Sequence, residues 1–560
     1  MLKQHRLRRN KPSIPWYMDP WVWVKLMVFV IFILFLIWPF SSIITNAFKS
    51  TKTPGFTMEN FEKFFTKKYY NGALWNSISV SLVPTFFAVV LGVPMAYLMT
   101  RYNVWGKKLW HVLAILSLMS PPFLGAYAWI MMFGRAGSVT AFLAKYGITI
   151  PTIYGFGGIA AVLTLKLYPY IYMYTSGAME SIDSSLEECA ENLGSDKLRR
   201  FFTITMPVVT PSITAGALVV FMSALADFGT PMLLGGQDFR TLPVLIYNEY
   251  LSETGGNGNL ASAISIIIVI ITLLMLLVQK VYVGRRNYIM SALRPPKVTE
   301  VHGFKRFLVT LPVFLICFIS FLPQIVVCAS SFQHTNYSSF TGGFTFENYQ
   351  NLGSRLWSSL SNTFTYSSIA MVFIVIIGIL MSYAIVRKKG KTGGLLDMLL
   401  MAPYVIPGSV LGLCYIVTFN QKPLILTGTA AIIIISYVIR KLPYTVRSAS
   451  AFLLQMDPSV EEASINLGVA PMETFWKVTA RLMLPGVFSG AILSWVTCIN
   501  ELSCSIMLSS GRNNTLTIEA YTNIVRNSVG SGAALSAILT ITSAVILLVA
   551  LKVTKGKIRV

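Results

Sequence analysis

EECAENLG, Glu187 to Gly194, and EEASINLG, Glu461 to Gly468, are two polar, near-identical octapeptides lodged between long apolar segments. Glu188 and Glu462 stand 274 positions apart, and the same offset carries Lys166 onto Arg440, Pro169-Tyr170 onto Pro443-Tyr444, and Asp183 onto Asp457. It continues through Phe201 and Phe475, Pro211 and Pro485, Asp227 and Glu501, and Tyr247 and Tyr521. Apolar helices share composition by chance, but chance does not hold one register so long, and the chain is read as a tandem repeat. The amino-terminal parts match at slightly different offsets, which implies small insertions. GFTMENF at Gly55 to Phe61 echoes GFTFENY at Gly343 to Tyr349, and Asn76-Ser77, Gly92, Tyr97 and Arg101 echo Asn362-Thr363, Gly378, Tyr383 and Arg387.

With 54% hydrophobic and only 12% charged residues, the chain has about half the charge of a soluble domain and belongs in a bilayer. Its net charge of +23 does not indicate nucleic acid, because the Lys and Arg residues cluster at the ends of apolar runs instead of spreading over solvated faces. The six cysteines form no CxxC pair and no histidines stand at ligand spacing, so neither a disulfide framework, a metal site nor a cofactor is expected.

A spanning helix needs about 20 apolar residues. Twelve segments qualify, near 22–46, 74–100, 109–133, 153–179, 208–234, 260–283, 307–331, 359–386, 395–419, 425–449, 483–508 and 533–553. The expected fold class is therefore an all-α membrane protein of two tandem six-helix halves, 1–283 and 306–560, joined by a basic, Pro-containing cytoplasmic linker at 284–305. An even number of spans per half makes the repeats parallel, with a pathway expected between them. Short loops rich in Lys and Arg mark the cytoplasmic side. Arg6, Arg8, Arg9 and Lys11 precede span one; Arg101, Lys107 and Lys108 follow span two; Arg285, Arg286, Lys305 and Arg306 separate spans six and seven. Arg387, Lys388, Lys389 and Lys391 follow span eight, and Lys552, Lys555, Lys557 and Arg559 come last. Both termini and both octapeptides then face the cytoplasm, although Lys49, Lys52, Lys63, Lys67 and Lys68 outside span one stand against the trend. The first apolar run is too long for a cleaved signal peptide and no small-residue cleavage pattern follows it.

Within the octapeptide regions, Ser185 with Glu188 and Ser459 with Glu462 have capping-box spacing, and Asp457-Pro458 adds further helix-start chemistry. Gly194 and Gly468 suit a left-handed turn, after which KLRRFFTI and METFWKVT resume as a second short helix. The expectation is a bent helix-Gly-helix knob, twice, with carboxylates at its start and Phe201 or Phe475 further on. Two rigid knobs invite two copies of one partner.

On these residues the chain resembles a fused permease of a type I binding-protein-dependent ABC importer, whose halves each carry one EAA loop. The family pattern is found in Glu188, Cys189, Ala190, Gly194, Phe201, Pro207 and Pro211, and again in Glu462, Ala463, Ser464, Gly468, Phe475 and Pro485. It departs at Cys189, where Ala is usual, and at Arg481, which matches Pro207. The resemblance implies the type I importer transmembrane fold and a prokaryotic cytoplasmic membrane. It also implies two copies of a cytoplasmic ABC ATPase and an extracytoplasmic substrate-binding protein as partners. Glu187, Glu188, Ala190, Gly194 and Phe201, with Glu461, Glu462, Ala463, Gly468 and Phe475, would couple to the ATPase. ADFGTPMLLGG at Ala226 to Gly236 and TLPVLIY at Thr241 to Tyr247 are most similar to ferric iron permeases, while related systems carry phosphonates, sugar phosphates, polyamines or thiamine. The chain has no ATPase motif of its own. GKT at Gly390 to Thr392 is a turn, since Ile385 stands where a phosphate loop needs its first Gly. It is thus expected to be a transport subunit and not an enzyme.

Intramembrane charge bears on the cargo. Lys166 and Arg440 fall mid-span, where a cation faces a cavity or a partner, or snorkels or bonds a backbone carbonyl. Asp227 and Glu501 fall about 28 Å along spans five and eleven, near the outer mouth, where bonding to an outer loop is the favoured reading. All four are candidate pathway residues. Carboxylates at the mouth suit a ferric or polyamine cargo, and mid-membrane cations suit a phosphonate or an anionic chelate. An ion-gradient-driven transporter of two six-helix halves is the competing class, but it leaves the duplicated knobs unexplained. A membrane scaffold or receptor would need a soluble domain, for which no linker is long enough.

Overall fold

The computed structural model describes residues 19–553 apart from 51–54, 237, 252–255, 286–296, 337–338 and 389. Arg6, Arg8, Arg9, Lys11, Lys52, Arg286, Lys389, Lys555, Lys557 and Arg559, and half of the linker, lie outside the described residues. Helices occupy all twelve expected segments. In the first half these are Pro20–Ala47, Lys68–Arg101, Lys107–Leu118 with Leu124–Phe133, Phe156–Glu180, Lys197–Leu225 and Gly258–Arg285. In the second they are Gly303–Ser330, Gly353–Val386, Lys391–Val405 with Gly408–Phe419, Ala430–Gln455, Pro471–Ile499 and Val529–Val553. We number them spans one to twelve. Among the described residues nine are each long and apolar enough to cross a membrane, and span nine, bent by 104° between its two pieces, makes a tenth. Span three is likewise interrupted, and span ten carries Arg440, Lys441 and Arg447, which dilute its apolar character. Span seven starts at Gly303, inside the stretch read as linker. One short antiparallel pair, His334–Asn336 with Ser339–Gly342, departs from the all-helical expectation.

The repeated small and polar residues turn out to be packing devices. A Cβ on Gly92 in span two would lie 2.7 Å from Ile171 Cβ in span four, and one on Gly378 in span eight would lie 2.9 Å from Thr445 Cγ2 in span ten. Ile171 and Thr445 are themselves 274 apart, so both halves use the same close helix approach. Without a hydrophobic drive between helices in lipid, such closeness provides the van der Waals contact that holds them. Asn76 Nδ2 donates to Arg240 O at 3.1 Å and Ser77 Oγ accepts from Leu242 N at 2.7 Å. Asn362 Nδ2 and Thr363 Oγ1 do the same with Asn514 O, at 3.1 Å, and Leu516 N, at 2.7 Å. Each pair ties span two or eight to the segment after span five or eleven.

The halves are not self-contained in space: the first span of each packs on the last span of its own half and also reaches across to the other half. Span one lies against the second half, where Tyr415 Oη donates to Phe35 O at 2.9 Å and Trp21 stacks on Tyr383 at 4.3 Å. Span seven lies against the first half, where Ser117 Oγ donates to Ser320 O at 3.0 Å and Arg306 Nε to Asn103 O at 2.7 Å. Duplication records which segments are copies, whereas packing selects which surfaces meet.

Gly92→Val and Gly378→Val are expected to lower the yield of monodisperse protein in size-exclusion chromatography, because the paired helices must separate to admit the side chain. Gly72→Val, in the same span as Gly92 but facing open space, is expected to leave that yield within error.

Candidate functional site

Each octapeptide forms a short helix, Ser184–Asn192 or Ser459–Asn466. The serines of the box pattern are not the caps: Asp183 caps the first helix, its Oδ1 accepting from Ser185 N at 3.0 Å, and in the second Asp457, just before the cap position Pro458, accepts from Ser459 N at 2.9 Å. The serines already lie inside the helix, and Asp183 holds the extended backbone that a cap requires. The hydrogen bond from Ser459 holds the Asp457 carboxyl below the usual carboxylate range. Both helices end in a Schellman turn. Gly194 (φ +80°) and Gly468 (φ +89°) take the left-handed conformation, with Ser195 N bonded to Ala190 O and Val469 N to Ser464 O. The chain then enters spans five and eleven directly, through one π turn at Phe201–Thr205 and its copy at Phe475–Thr479. The second short helix expected there is the first turn of the span, because the helix runs on without a break from Lys197 and from Pro471.

The paired glutamates divide their tasks. Glu187 Oε1 accepts from Arg101 Nη2 at 2.5 Å and from Thr205 Oγ1 at 3.0 Å. Glu461, buried, accepts from Arg387 Nε at 3.1 Å and Tyr383 Oη at 3.0 Å. These first glutamates therefore bolt each knob to the end of span two or eight, which explains why Arg101 and Arg387 recur. Phe201 and Phe475 also turn inward, contrary to a partner-facing role. Phe475 is fully buried against Trp21 and Tyr383, at 4.8 and 4.9 Å, and Phe201 packs on Tyr97 at 4.9 Å. The outward surface consists of Glu462, Ala463 and Cys189 with the more sheltered Glu188 and Ala190. Glu188 meets Lys297 at 2.8 Å. Two leucines that sequence reasoning passed over complete it: Leu193 and Leu467, again 274 apart, are 88% and 85% exposed. Their only signal in the sequence was an apolar residue repeated before the glycine.

Between the halves lies a cavity of about 180 Å³, lined from the first half by Pro122, Tyr170 and Asp227 and from the second by Tyr404, Arg440, Tyr444 and Glu501, among others. It sits where spans three and nine break, at 119–123 and 406–407, and where spans five and eleven give way to irregular segments at 226–228 and 500–504. Irregular backbone at membrane depth is tolerated where it lines a cavity or finds partners. Here Asn500 Nδ2 crosses from the second half to Met119 O, at 2.9 Å, and satisfies one freed carbonyl.

The four candidate pathway residues form two copies of one ion pair, which sequence analysis treated as separate sites. Lys166 Nζ meets Asp227 Oδ2 at 2.8 Å, and Arg440 bonds Glu501. Asp227 and Glu501 thus pair with cations that lie near the middle of their helices, and each also accepts a backbone amide of the segment that follows it. Those cations do not snorkel; Lys166 reaches a carbonyl, Pro122 O at 3.5 Å, only as a secondary contact. The second cluster has an additional member, Lys441, whose Nζ lies 2.6 Å from Glu501 Oε2. Its counterpart in the first half is Leu167, so the repeat itself gave no hint of Lys441.

The family model described as binding-protein-dependent transport system inner membrane component matches residues 88–287 and again 374–555. The chain is 30% identical over 539 residues to ferric transport system permease protein FbpB of Actinobacillus pleuropneumoniae, covering 93% of this chain and 77% of that one. It is 25% identical over 452 residues to Fe(3+)-transport system permease protein FbpB 2 of Haemophilus influenzae, covering 80% and 83%. Among solved structures, a bacterial alginate ABC transporter in complex with an alginate pentasaccharide-bound periplasmic protein is similar at 18% identity. That match covers 49% of this chain and 98% of the other, with a TM-score of 0.42.

Removing one partner of a buried ion pair strands a charge at a cost of about 3–5 kcal/mol, whereas removing both is often neutral. Asp227→Asn is therefore expected to lower the melting temperature of the purified protein, and Lys166→Met combined with Asp227→Asn to restore most of the loss. Two additive losses in the double-mutant cycle would contradict the pairing.

Proposed function

Since this chain belongs to the family of binding-protein-dependent transport system inner membrane components, and is the permease of an ABC importer, we propose that its cargo is ferric iron. The observation that carries this reading is the 30% identity, along 93% of the chain, to a protein named as a ferric transport permease. Family membership displaces the gradient-driven alternative. The two halves, 1–283 and 306–560 about the linker, work as one permease in the cytoplasmic membrane with both termini on the cytoplasmic side. Two copies of an ABC ATPase subunit dock on the knobs, and an extracytoplasmic binding protein delivers the cargo at the opposite face. The energy comes from ATP hydrolysed on those partner subunits.

The division of the knob residues supports a lever. Glu187 and Glu461 join the knob to its membrane helix through an arginine, and Phe201 and Phe475 pack its base. A push on Leu193, Glu188 and Ala190, or on Leu467, Glu462 and Ala463, is then delivered to spans two and five or eight and eleven. Gly194 and Gly468 keep the lever bent. The ion pairs Lys166–Asp227 and Arg440–Glu501 border the pathway those spans open and close.

Proteoliposomes holding the permease, its ATPase and its binding protein are expected to accumulate radiolabelled ferric iron only when ATP is supplied on the ATPase side. Accumulation driven by an ion gradient without ATP would overturn the importer reading, and ATP-driven uptake of another solute without iron would overturn the cargo. Leu193→Asp and Leu467→Asp, fully solvated in the isolated chain, should leave its stability unchanged. Each is expected to reduce co-purification of the ATPase, with the double variant losing it almost entirely. Gly194→Val and Gly468→Val force a β-branched residue to positive φ, a strain of about 1–3 kcal/mol. They should keep the protein inserted while lowering iron transported per ATP hydrolysed.

A further inference from the structure

Every carboxylate oxygen at the cavity between the halves is already committed. Asp227 Oδ2 holds Lys166, and Oδ1 accepts from Thr230 N at 2.9 Å. Glu501 Oε1 accepts from Arg440 and from Cys504 N at 3.1 Å, and Oε2 from Lys441 at 2.6 Å. Three cations, Lys166, Arg440 and Lys441, thus face two anions, and the cluster carries one net positive charge. No group of three or more His, Cys, Asp or Glu side chains able to hold a metal ion occurs among the described residues. The groups left over are of another kind. Arg440 Nε, which can only donate, is buried with no hydrogen-bond partner. The cavity lining, to which Arg440 belongs, adds the hydroxyl-bearing Tyr170, Tyr404, Tyr444, Ser223 and Ser503, with the rings of Tyr404 and Tyr444 packed edge to face at 5.4 Å.

With Lys166 and Lys441 held on those carboxylates outside the lining, the site as a whole repels a bare trivalent cation and offers donors to oxygen acceptors. Resting on the ferric reading above, we infer that the cavity passes iron as an oxygen-liganded complex of neutral or negative charge, held through the oxygens of its ligands and not through the metal. The Arg440 side chain and the tyrosine hydroxyls of the lining donate to those oxygens, and Lys441, bonded to Glu501 outside the lining, supplies the excess positive charge that favours them. The carboxylates serve to hold the cations in place. Glu501, one methylene longer than its counterpart Asp227, reaches both Arg440 and Lys441, while Asp227 needs to reach only Lys166. The second half therefore selects for the charge of the complex and the first half does not.

The sign of the cluster charge makes this testable. In proteoliposomes holding the complete transporter, Lys441→Met is expected to reduce ATP-driven iron uptake about threefold or more, and Lys441→Arg to retain it. Uptake that is unchanged or faster in Lys441→Met overturns the inference and leaves the ferric reading intact. Leu167→Lys combined with Asp227→Glu copies the second cluster into the first half and decides the matter if Lys441→Met does not insert. Equal or faster iron uptake supports the inference. A fall of about threefold or more, with basal ATP hydrolysis retained, overturns it. Absence of iron uptake by the unaltered transporter, with uptake of molybdate or phosphate in its place, overturns the ferric reading and the inference with it.

Discussion

Asp227 and Glu501 each meet two demands that a bilayer imposes at once. A broken helix leaves amides that lipid cannot satisfy, and a mid-span cation needs a counter-charge. One oxygen of each carboxylate takes an amide of the short segment after the break, from Thr230 or Cys504, while the cation of span four or ten is held at the same carboxylate. The break makes room for a cavity, and the ion pair makes the break affordable. Because both members recur at one offset, the cavity inherits a paired lining, with Tyr170 from the first half and Tyr444 from the second.

The cytoplasmic face follows a similar economy. A knob that transmits force must be stiff within itself and firmly seated, and the seat is a buried or half-buried glutamate held by an arginine at the end of a spanning helix. That leaves the second glutamate and a solvated leucine for a partner. The two seats differ in surroundings. Beside the second, Trp21 of span one fills the space between Tyr383 and Phe475. Beside the first, the end of the linker runs past instead, with Thr299 N bonded to Arg101 O at 2.8 Å and Val301 N to Asn103 Oδ1 at 3.0 Å. The reach of the first helix of each half across to the other places these different neighbours at equivalent knobs.

Lys441 shows how duplication and divergence combine. The repeated positions supply a symmetric frame, and a single unpaired substitution, Leu in one half and Lys in the other, sets the net charge of the cavity. A longer acid opposite it, Glu501 for Asp227, accommodates the change without leaving either cation alone.

The twelve helical segments, the doubling of the fold, the capped knobs and their glycine turns could all be read from the chain, because each depends on neighbours close in sequence: apolar length, cap spacing, a left-handed glycine. Candidate residues Lys166, Asp227, Arg440 and Glu501 were legible as repeated charges in apolar surroundings. Their pairing was not, since Lys166 and Asp227 are separated by a loop, a knob and most of a span, and a straight-helix estimate put the acids at the outer mouth. Likewise, the letters EE do not tell which glutamate faces inward. That depends on an arginine some 80 positions earlier, at Arg101 or Arg387, brought close only when spans pack. Local pattern determined the elements and their duplication. Which side chains neutralise one another, which aromatic rings are buried, and which surfaces of the other half each first helix meets were decided by tertiary packing, because burial and charge pairing belong to surfaces that exist only once the helices have assembled.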